Sequence, residues 1–296
     1  MVVSVVMITF NHELYIREAI ESILLQKTNF ELELIIANDC STDDTDNIIS
    51  DIKLNHPKAN LIKYYRQQFN IGMMPNFVFA LKQVKGKFIA LCDGDDYWTD
   101  PLKLQKQVDF LEANEEYSGC FHKVKILEND LEVDDIVIEQ RYEMIEDKHR
   151  ITSLDIIKHS NFIHTCSFVF RKSLFKISNI TLMSPVGDVL LFTDIARKGY
   201  LKRFDEYSAV YRRGVGIYST LDATIMHKKQ LQYSVCLLAE SSDEKEKLLL
   251  VNKIYEKIDL FERIVSSTSY SKSKNDIGIK EAINLFFKAI KNRLAR

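Results

Sequence analysis

Residues 87–98 read KFIALCDGDDYW. A strand is expected over 87–92, and after Lys87 it is apolar without alternation, the mark of a strand buried on both faces. It ends in three carboxylates within four positions: Asp93, Asp95 and Asp96. Carboxylates this close repel one another and are costly to bury unpaired. A divalent cation relieves that cost. Hard oxygen ligands favour Mn2+ or Mg2+, and a cation held by few carboxylates completes its shell with phosphate oxygens. Taken alone, the same spacing also suits Asp95 or Asp96 capping a turn while the others face water. An EF-hand is excluded, because the sixth loop position counted from Asp93 is Trp98 rather than Gly.

Working outward from this stretch, strands and helices alternate. Residues 2–9 form a β-branched run, and 13–26 carry Leu14, Ala19, Ile20, Ile23 and Leu24 at helical spacing. A second strand is expected over 32–37, followed by a helix through Ile48, Ile49 and Ile52 with Ser41 as its N-cap. A third strand covers 61–65. Pro75 then opens a helix, as its ring suits a first turn. Asp100-Pro101 caps another helix after the acidic turn. Alternation with short loops implies a parallel sheet with right-handed crossovers, so ligands bind beyond the carboxyl ends of the strands. Thr9-Phe10-Asn11, Asn38-Asp39 and Asp93-Gly94-Asp95 should therefore meet on one rim. An acidic residue at the end of the second strand can hydrogen-bond a base or ribose, or serve as an extra cap for the next helix. G-x-G-x-x-G and P-loop patterns are absent, which disfavours nicotinamide, flavin and P-loop chemistry.

With 296 residues, 46% hydrophobic and 28% charged, the chain can bury a core without staples. Forty basic against 42 acidic side chains exclude a general nucleic-acid binder. Five scattered cysteines without C-x-x-C argue against a zinc ribbon or disulfide framework and for a reducing, cytoplasmic setting. The opening MVVSVVMITFNH reads as a buried strand rather than a secretory leader, and no run approaches the ~18 apolar residues of a spanning helix.

The motifs VSVVMITFN, LELIIANDCSTDDT, NIGMMPN and GKFIALCDGDDYW, in this order and spacing, resemble glycosyltransferase family 2 of the GT-A fold. The resemblance is strong over residues 2–111. It continues more weakly through TCSFVFRKSLF, GDVLLFTDIARKGY and AVYRRG, to about Ser219. It implies an α/β fold, Rossmann-like, with a mostly parallel sheet flanked by helices. It implies a catalytic domain over 1–219 (nucleotide half 1–111, acceptor half 112–219) and leaves 220–296 as a helical C-terminal extension.

By the same resemblance, Thr9, Phe10 and Asn11 flank the base and ribose, and Asp39 hydrogen-bonds the base, commonly uracil. Asn70 and Gly72 form the loop near the nucleotide. Asp93 points to ribose and sugar, and Asp95 to the metal on the diphosphate. Asp188 is the catalytic base, although Gly-Asp before a helix is also a common N-cap. The implied activity is inverting, metal-dependent transfer from a nucleotide-sugar to a glycan or lipid-linked acceptor in surface polysaccharide synthesis. Three departures stand out. Cys40 replaces a frequent Gly, Pro75-Asn76 replaces an Arg-Asn pair, and no His follows Tyr211-Arg212. Arg213 is left to neutralise diphosphate charge.

The second half is less regular. Residues 117–127 read as a strand, 128–150 as a loop or ragged hairpin and 165–170 as a strand. Residues 189–198 read as a helix and 201–211 as a strand. Beyond residue 222 the pattern is helical, with a polar break at 266–274. His164 and Trp98 read as ordinary packing residues, though the first suits an acceptor cleft and the second a sugar face. Residues 279–296 carry five basic side chains and one acid around an apolar face, the pattern of a helix lying on an anionic membrane or packing on the protein. A sugar-phosphate nucleotidyltransferase shares the parallel-sheet plan but wants a Gly-rich, Arg-containing loop after the first strand, absent here, and two further rival readings remain. One is an inert carbohydrate-binding module. The other is a haloacid-dehalogenase-like phosphatase, which wants its acidic pair on the first strand and Thr or Val where Tyr97 stands.

Overall fold

The computed structural model describes residues 2–178, 181, 183–216 and 223–267. Its first half follows the alternation closely: β1 (Val3–Thr9), α1 (Ile16–Leu24), β2 (Leu32–Asn38), α2 (Thr45–Asn55), β3 (Ile62–Arg66), α3 (Met73–Lys82), β4 (Phe88–Leu91), β5 (Tyr97–Trp98) and α4 (Lys103–Ala113). The second half comprises β6 (Tyr117–Glu128), β7 (Leu131–Val133), α5 (Ile136–Glu143), α6 (Ser153–His159), β8 (Val169–Arg171), α7 (Asp188–Ala196), β9 (Tyr200–Arg213), α8 (Ala223–Glu240) and α9 (Glu244–Ser267).

One sheet takes the order β3-β2-β1-β4-β8-β6-β9-β5, with β7 paired to β6. Strands β3, β2, β1 and β4 are parallel, and β8 runs antiparallel between β4 and β6. Strand β9 lies parallel to β6 and pairs antiparallel with β5, the strand just after the acidic turn. That pairing carries the end of β9 to the rim where β4 stops.

Side-chain alternation explains the continuous apolar strands. Val3, Val5, Met7, Leu34, Ile36, Phe88 and Ala90 face a core formed with α1, α2 and α4. Val6, Ile35, Ala37, Ile89 and Leu91 face a second core formed with α3, α6 and α7. Both faces of β1, β2 and β4 are covered, so none of their positions is fully exposed to water. A third cluster joins Ile157 and Leu190 to Leu237, Leu238, Leu250 and Ile254, seating α8 and α9 on α6 and α7.

Several expectations are corrected. Ser41 does not cap α2, which begins at Thr45 without a side-chain cap. Its hydroxyl instead donates to Asn38 Oδ1 (2.7 Å) and accepts from the Asn11 amide (2.9 Å), because 39–44 is held as part of the rim. The acid-rich 128–150 contains a short hairpin strand, β7, and a helix, α5. Residues 165–167 form a 3-10 turn before β8, their chain drawn in by bonds from the Ser167 amide and hydroxyl to the His164 carbonyl. A helical break falls at 241–243, where Asp243 caps the Glu246 amide (2.9 Å), and the next helix is described to Ser267; the break expected at 266–274 lies almost wholly outside the described residues. The basic segment 279–296 lies outside the described residues. Among the described residues no helix is long and apolar enough to cross a membrane.

Lys103 is buried at the start of α4, 1% exposed. Its ammonium lies 4.0 Å from the Trp98 ring centre and donates to Gln107 Oε1 at 2.8 Å. Burial pushes its pKa down to about 8 from the ordinary 10.5. Between those values only the unfolded chain holds the proton, so folding gains stability as pH rises across the window. Below about 8 the full cost, on the order of 3 kcal/mol, is present. The stability difference between Lys103→Met and the wild type, read by urea unfolding, is therefore expected to change by about that amount between pH 7.5 and 10.5, moving in favour of the wild type. A pH-independent difference would refute the buried charge.

Candidate active site

The ends of β1, β2 and β4 do converge. The Thr9 carbonyl accepts from the Asp39 amide (2.9 Å), and the Gly94 amide donates to the Ile8 carbonyl (3.0 Å). Asn11, at φ 56°, accepts the Thr42 amide on Oδ1 (2.8 Å), which ties the end of β1 to the loop after β2. Cys40 stands in the left-handed region (φ 61°) that favours glycine, so the turn after Asp39 keeps its shape at some cost. Phe10 is half-buried on the same rim.

Asp39 is 3% exposed, and its two oxygens accept the amides of Ile71 (2.8 Å) and Gly72 (2.9 Å). Asn70 Oδ1 adds a second bond to the Gly72 amide (3.1 Å), and Gly72 has φ 91°. The Asn70–Gly72 loop is thus pinned to the end of β2. Each Asp39 oxygen keeps a lone pair for another donor.

At the acidic turn the three carboxylates differ in role. Asp96 is 1% exposed and accepts the Arg212 amide (3.0 Å). The Arg212 guanidinium donates to the Asp95 carbonyl (2.6 Å) and to Glu18. Asp96 and Arg212 therefore build the turn. Among the described residues no side-chain hydrogen bond ties down the Asp93 carboxylate, and the Asp95 carboxylate has His12 Nε2 at 3.9 Å. Burial, then Asp95, then Asp188 push the Asp93 carboxyl well above the usual range. Gly94 has no room for a side chain: a Cβ there would meet Thr9 Oγ1 at 2.7 Å and His12 Nδ1 at 2.9 Å.

Asp188 is the first residue of α7, and its Oδ1 accepts the Val189 amide (2.7 Å). Gly187 sets its place, because a Cβ there would strike Met74 Sδ of α3 at 2.7 Å. Burial raises the Asp188 pKa, while the local amides and His164 pull it the other way. Its charge is the smallest of the three causes that raise the Asp93 pKa, so the two carboxylates lie near enough to interact. His164 Nε2 lies 2.7 Å from Asp135, and its ring is 4.8 Å from that of Tyr211. Arg213 forms ion pairs with Asp135 (3.0 Å) and Glu128 (3.7 Å). Trp98 is core: its Nε1 donates to the Cys166 carbonyl (2.8 Å).

A divalent cation fits this donor set. Asp93 and Asp95 are near enough for the charge of one to raise the pKa of the other. Thr9 Oγ1 and His12 Nδ1 are buried beside them without partners. His12, which the motifs do not single out, brings Nε2 to 3.9 Å from Asp95 Oδ2. Its position on the rim, one residue past Asn11, was the signal available. Among the described residues no cluster of three or more His, Cys, Asp or Glu could cage a metal, so ligand oxygens would complete the shell.

The sequence model of glycosyl transferase family 2 matches residues 4–177. An uncharacterised protein of Mycobacterium tuberculosis is 38% identical over 210 residues, which are 71% of this chain and 58% of that one. This chain thus spans less than two thirds of that relative. The Escherichia coli protein WfaP, a UDP-Glc:alpha-D-GlcNAc-diphosphoundecaprenol beta-1,3-glucosyltransferase, is 36% identical over 111 residues, 38% of this chain and 41% of that one. Among solved structures, residues 1–349 of S. aureus TarS in complex with UDP-GlcNAc superpose with a TM-score of 0.71 at 22% identity, covering 99% of this chain and 83% of that one. The mannosyltransferase PcManGT of Pyrobaculum calidifontis, in complex with GDP-Man and Mn2+, gives 0.60 at 16%, covering 99% and 83%. The curled, mostly parallel sheet with flanking helices is the GT-A fold, and the chain belongs to glycosyl transferase family 2.

Proposed function

We propose that the chain is an inverting glycosyltransferase that moves a sugar from a UDP-sugar to a hydroxyl of a glycan or lipid-linked acceptor in surface polysaccharide synthesis. The observation that carries this reading is the meeting of the β1, β2 and β4 ends on one rim, and it is supported by the proximity of Asp188 to Asp93, whose carboxyl it helps push above the usual range. In this reading residues 1–219 perform the transfer, and 220–296 form an accessory helical extension. The donor set Thr9–Asn11, Asp39, Asn70 and Gly72 receives the nucleoside, and Asp93 turns to ribose and sugar. WfaP and TarS support a uridine donor by their printed names, and PcManGT makes guanosine the alternative.

Asp95 would hold Mn2+ or Mg2+ against the diphosphate. Such a cation offsets the negative charge that grows on the leaving group. Asp188 accepts the proton of the acceptor hydroxyl as its oxygen attacks the anomeric carbon. The new C–O bond forms as the anomeric C–O bond to phosphate breaks, its electron pair leaving with the nucleoside diphosphate. One displacement from the opposite face turns an α-linked donor into a β-linked product.

The test is nucleotide release from a panel of nucleotide-sugars with and without Mn2+. Metal-dependent UDP release from one UDP-sugar is expected, with the sugar recovered on an acceptor or as its hydrolysis product. Binding without release would leave an inert module, and release of inorganic phosphate would mark a phosphatase.

A further inference from the structure

We infer that His12 is the second side chain that holds the donor's divalent cation, acting with Asp95, and that its imidazole tilts the site toward Mn2+ over Mg2+. This rests on the transferase reading above and adds a ligand to it. The argument begins with the backbone. The His12 amide donates to Thr45 Oγ1 (2.9 Å), and its carbonyl accepts the Tyr15 (2.9 Å) and Ile16 (2.8 Å) amides that start α1. The residue is therefore held on both sides, and only its side chain can turn. That side chain is 15% exposed and stands over the acidic turn, with Nε2 3.9 Å from Asp95 Oδ2.

The neighbouring groups leave this pair to each other. Asp96 is occupied by the Arg212 amide, and the Arg212 guanidinium by the Asp95 carbonyl and Glu18. Among the described residues no Lys or Arg forms an ion pair with the Asp95 carboxylate. Neighbouring ligands on an ion with bonds of ~2.1 Å lie about 3 Å apart, so the observed 3.9 Å closes onto one ion with a small turn of the imidazole. For Nε2 to offer its lone pair, the ring proton must sit on Nδ1. Nδ1 is buried without a partner, and so is Thr9 Oγ1, whose residue is 2% exposed. Both atoms press on Gly94, whose missing side chain opens the pocket. Thr9 Oγ1 is thus the acceptor placed to hold Nδ1–H once the ring turns onto a metal, the outer-shell bond that metal-bound imidazoles make. Imidazole favours transition metals over Mg2+, whereas an all-oxygen site does not discriminate this way.

The experiment is electron paramagnetic resonance of the full chain with Mn2+ and UDP. Free Mn2+ is counted to obtain affinity, and electron spin echo modulation is read for directly bound imidazole nitrogen. The wild type should show that nitrogen. His12→Gln should lose it and bind Mn2+ at least ~10-fold more weakly, with Mg2+ affinity changing less. Thr9→Val should keep the nitrogen signal while weakening Mn2+. No nitrogen modulation in a wild-type complex that does bind Mn2+ overturns the role of His12 alone. Nitrogen modulation that persists in His12→Gln overturns it as well. Absence of any UDP-dependent Mn2+ binding overturns it together with the metal-dependent transferase reading. The wild-type spectrum decides the question even where a variant does not fold.

Discussion

Asp188→Asn is expected to lower kcat for sugar transfer by about 10²–10⁴-fold, the range a positioned general base supplies, with donor binding unchanged. Asparagine keeps the size of the side chain and can still accept the Val189 amide that Asp188 Oδ1 accepts at 2.7 Å. The start of α7 therefore survives, and only proton acceptance is lost. Binding is checked by the rise in melting temperature with UDP and Mn2+, which reports the folded state's affinity without turnover. A residue that merely caps α7 would shift stability and leave kcat nearly intact. The pH profile supplies a second reading. Burial raises the Asp188 pKa, and a base works only when deprotonated. Activity should thus fall with falling pH at a limb above the ordinary carboxylate value, and not at ~4. His164 favours the anion and is itself fixed by Asp135 at 2.7 Å. Loss of that imidazole in His164→Gln would move the limb further upward.

Much of this arrangement was legible in the residues because it depends on local period and punctuation. Strands β1, β2 and β4 are apolar on both faces and stop at polar residues, so their order along the chain predicts both the sheet and the rim. Asp39 and Asp93 stand at strand ends as that order predicts, while the roles given to them rest on the family resemblance. What escaped was set by long-range partners. Ser41 has the spacing of a helix cap, yet Asn11 and Asn38 claim its hydroxyl from across the rim. Arg213 follows a Tyr-Arg pair like a diphosphate ligand, and its ion pairs with Asp135 and Glu128 were not foreseeable from the residues. Asp135 itself lies in a stretch with no clear period. His12 shows no motif, because its significance lies in the distance to a residue 83 positions later. Cys40 is the reverse case: a glycine-like position by resemblance, it shows the physical reason in its φ of 61°.

Asp95→Asn should separate site chemistry from stability, because the two effects carry opposite signs. Transfer is expected to fall by at least ~10²–10³-fold, the loss typical when a group stabilising transition-state charge is removed, and Mn2+ should no longer raise UDP affinity. The metal-free protein should meanwhile become more stable. Asp95 is 8% exposed and sits among carboxylates that it pushes out of their usual range. For Asp93 it is the strongest cause after burial, and for Asp96 likewise. Asparagine fills the same space without the charge, so both neighbours ionise more easily. The gain is expected on the order of 1 kcal/mol, read as a rise of about 2–4 °C in melting temperature at neutral pH without metal. Mn2+ with UDP should reverse the ranking, since only the wild type gains the bound ion's stabilisation. A site that stores repulsion until a cation arrives requires both signs at once. A purely structural Asp95 predicts the contrary pattern: a lower melting temperature in the variant, and the same response to Mn2+ in both proteins.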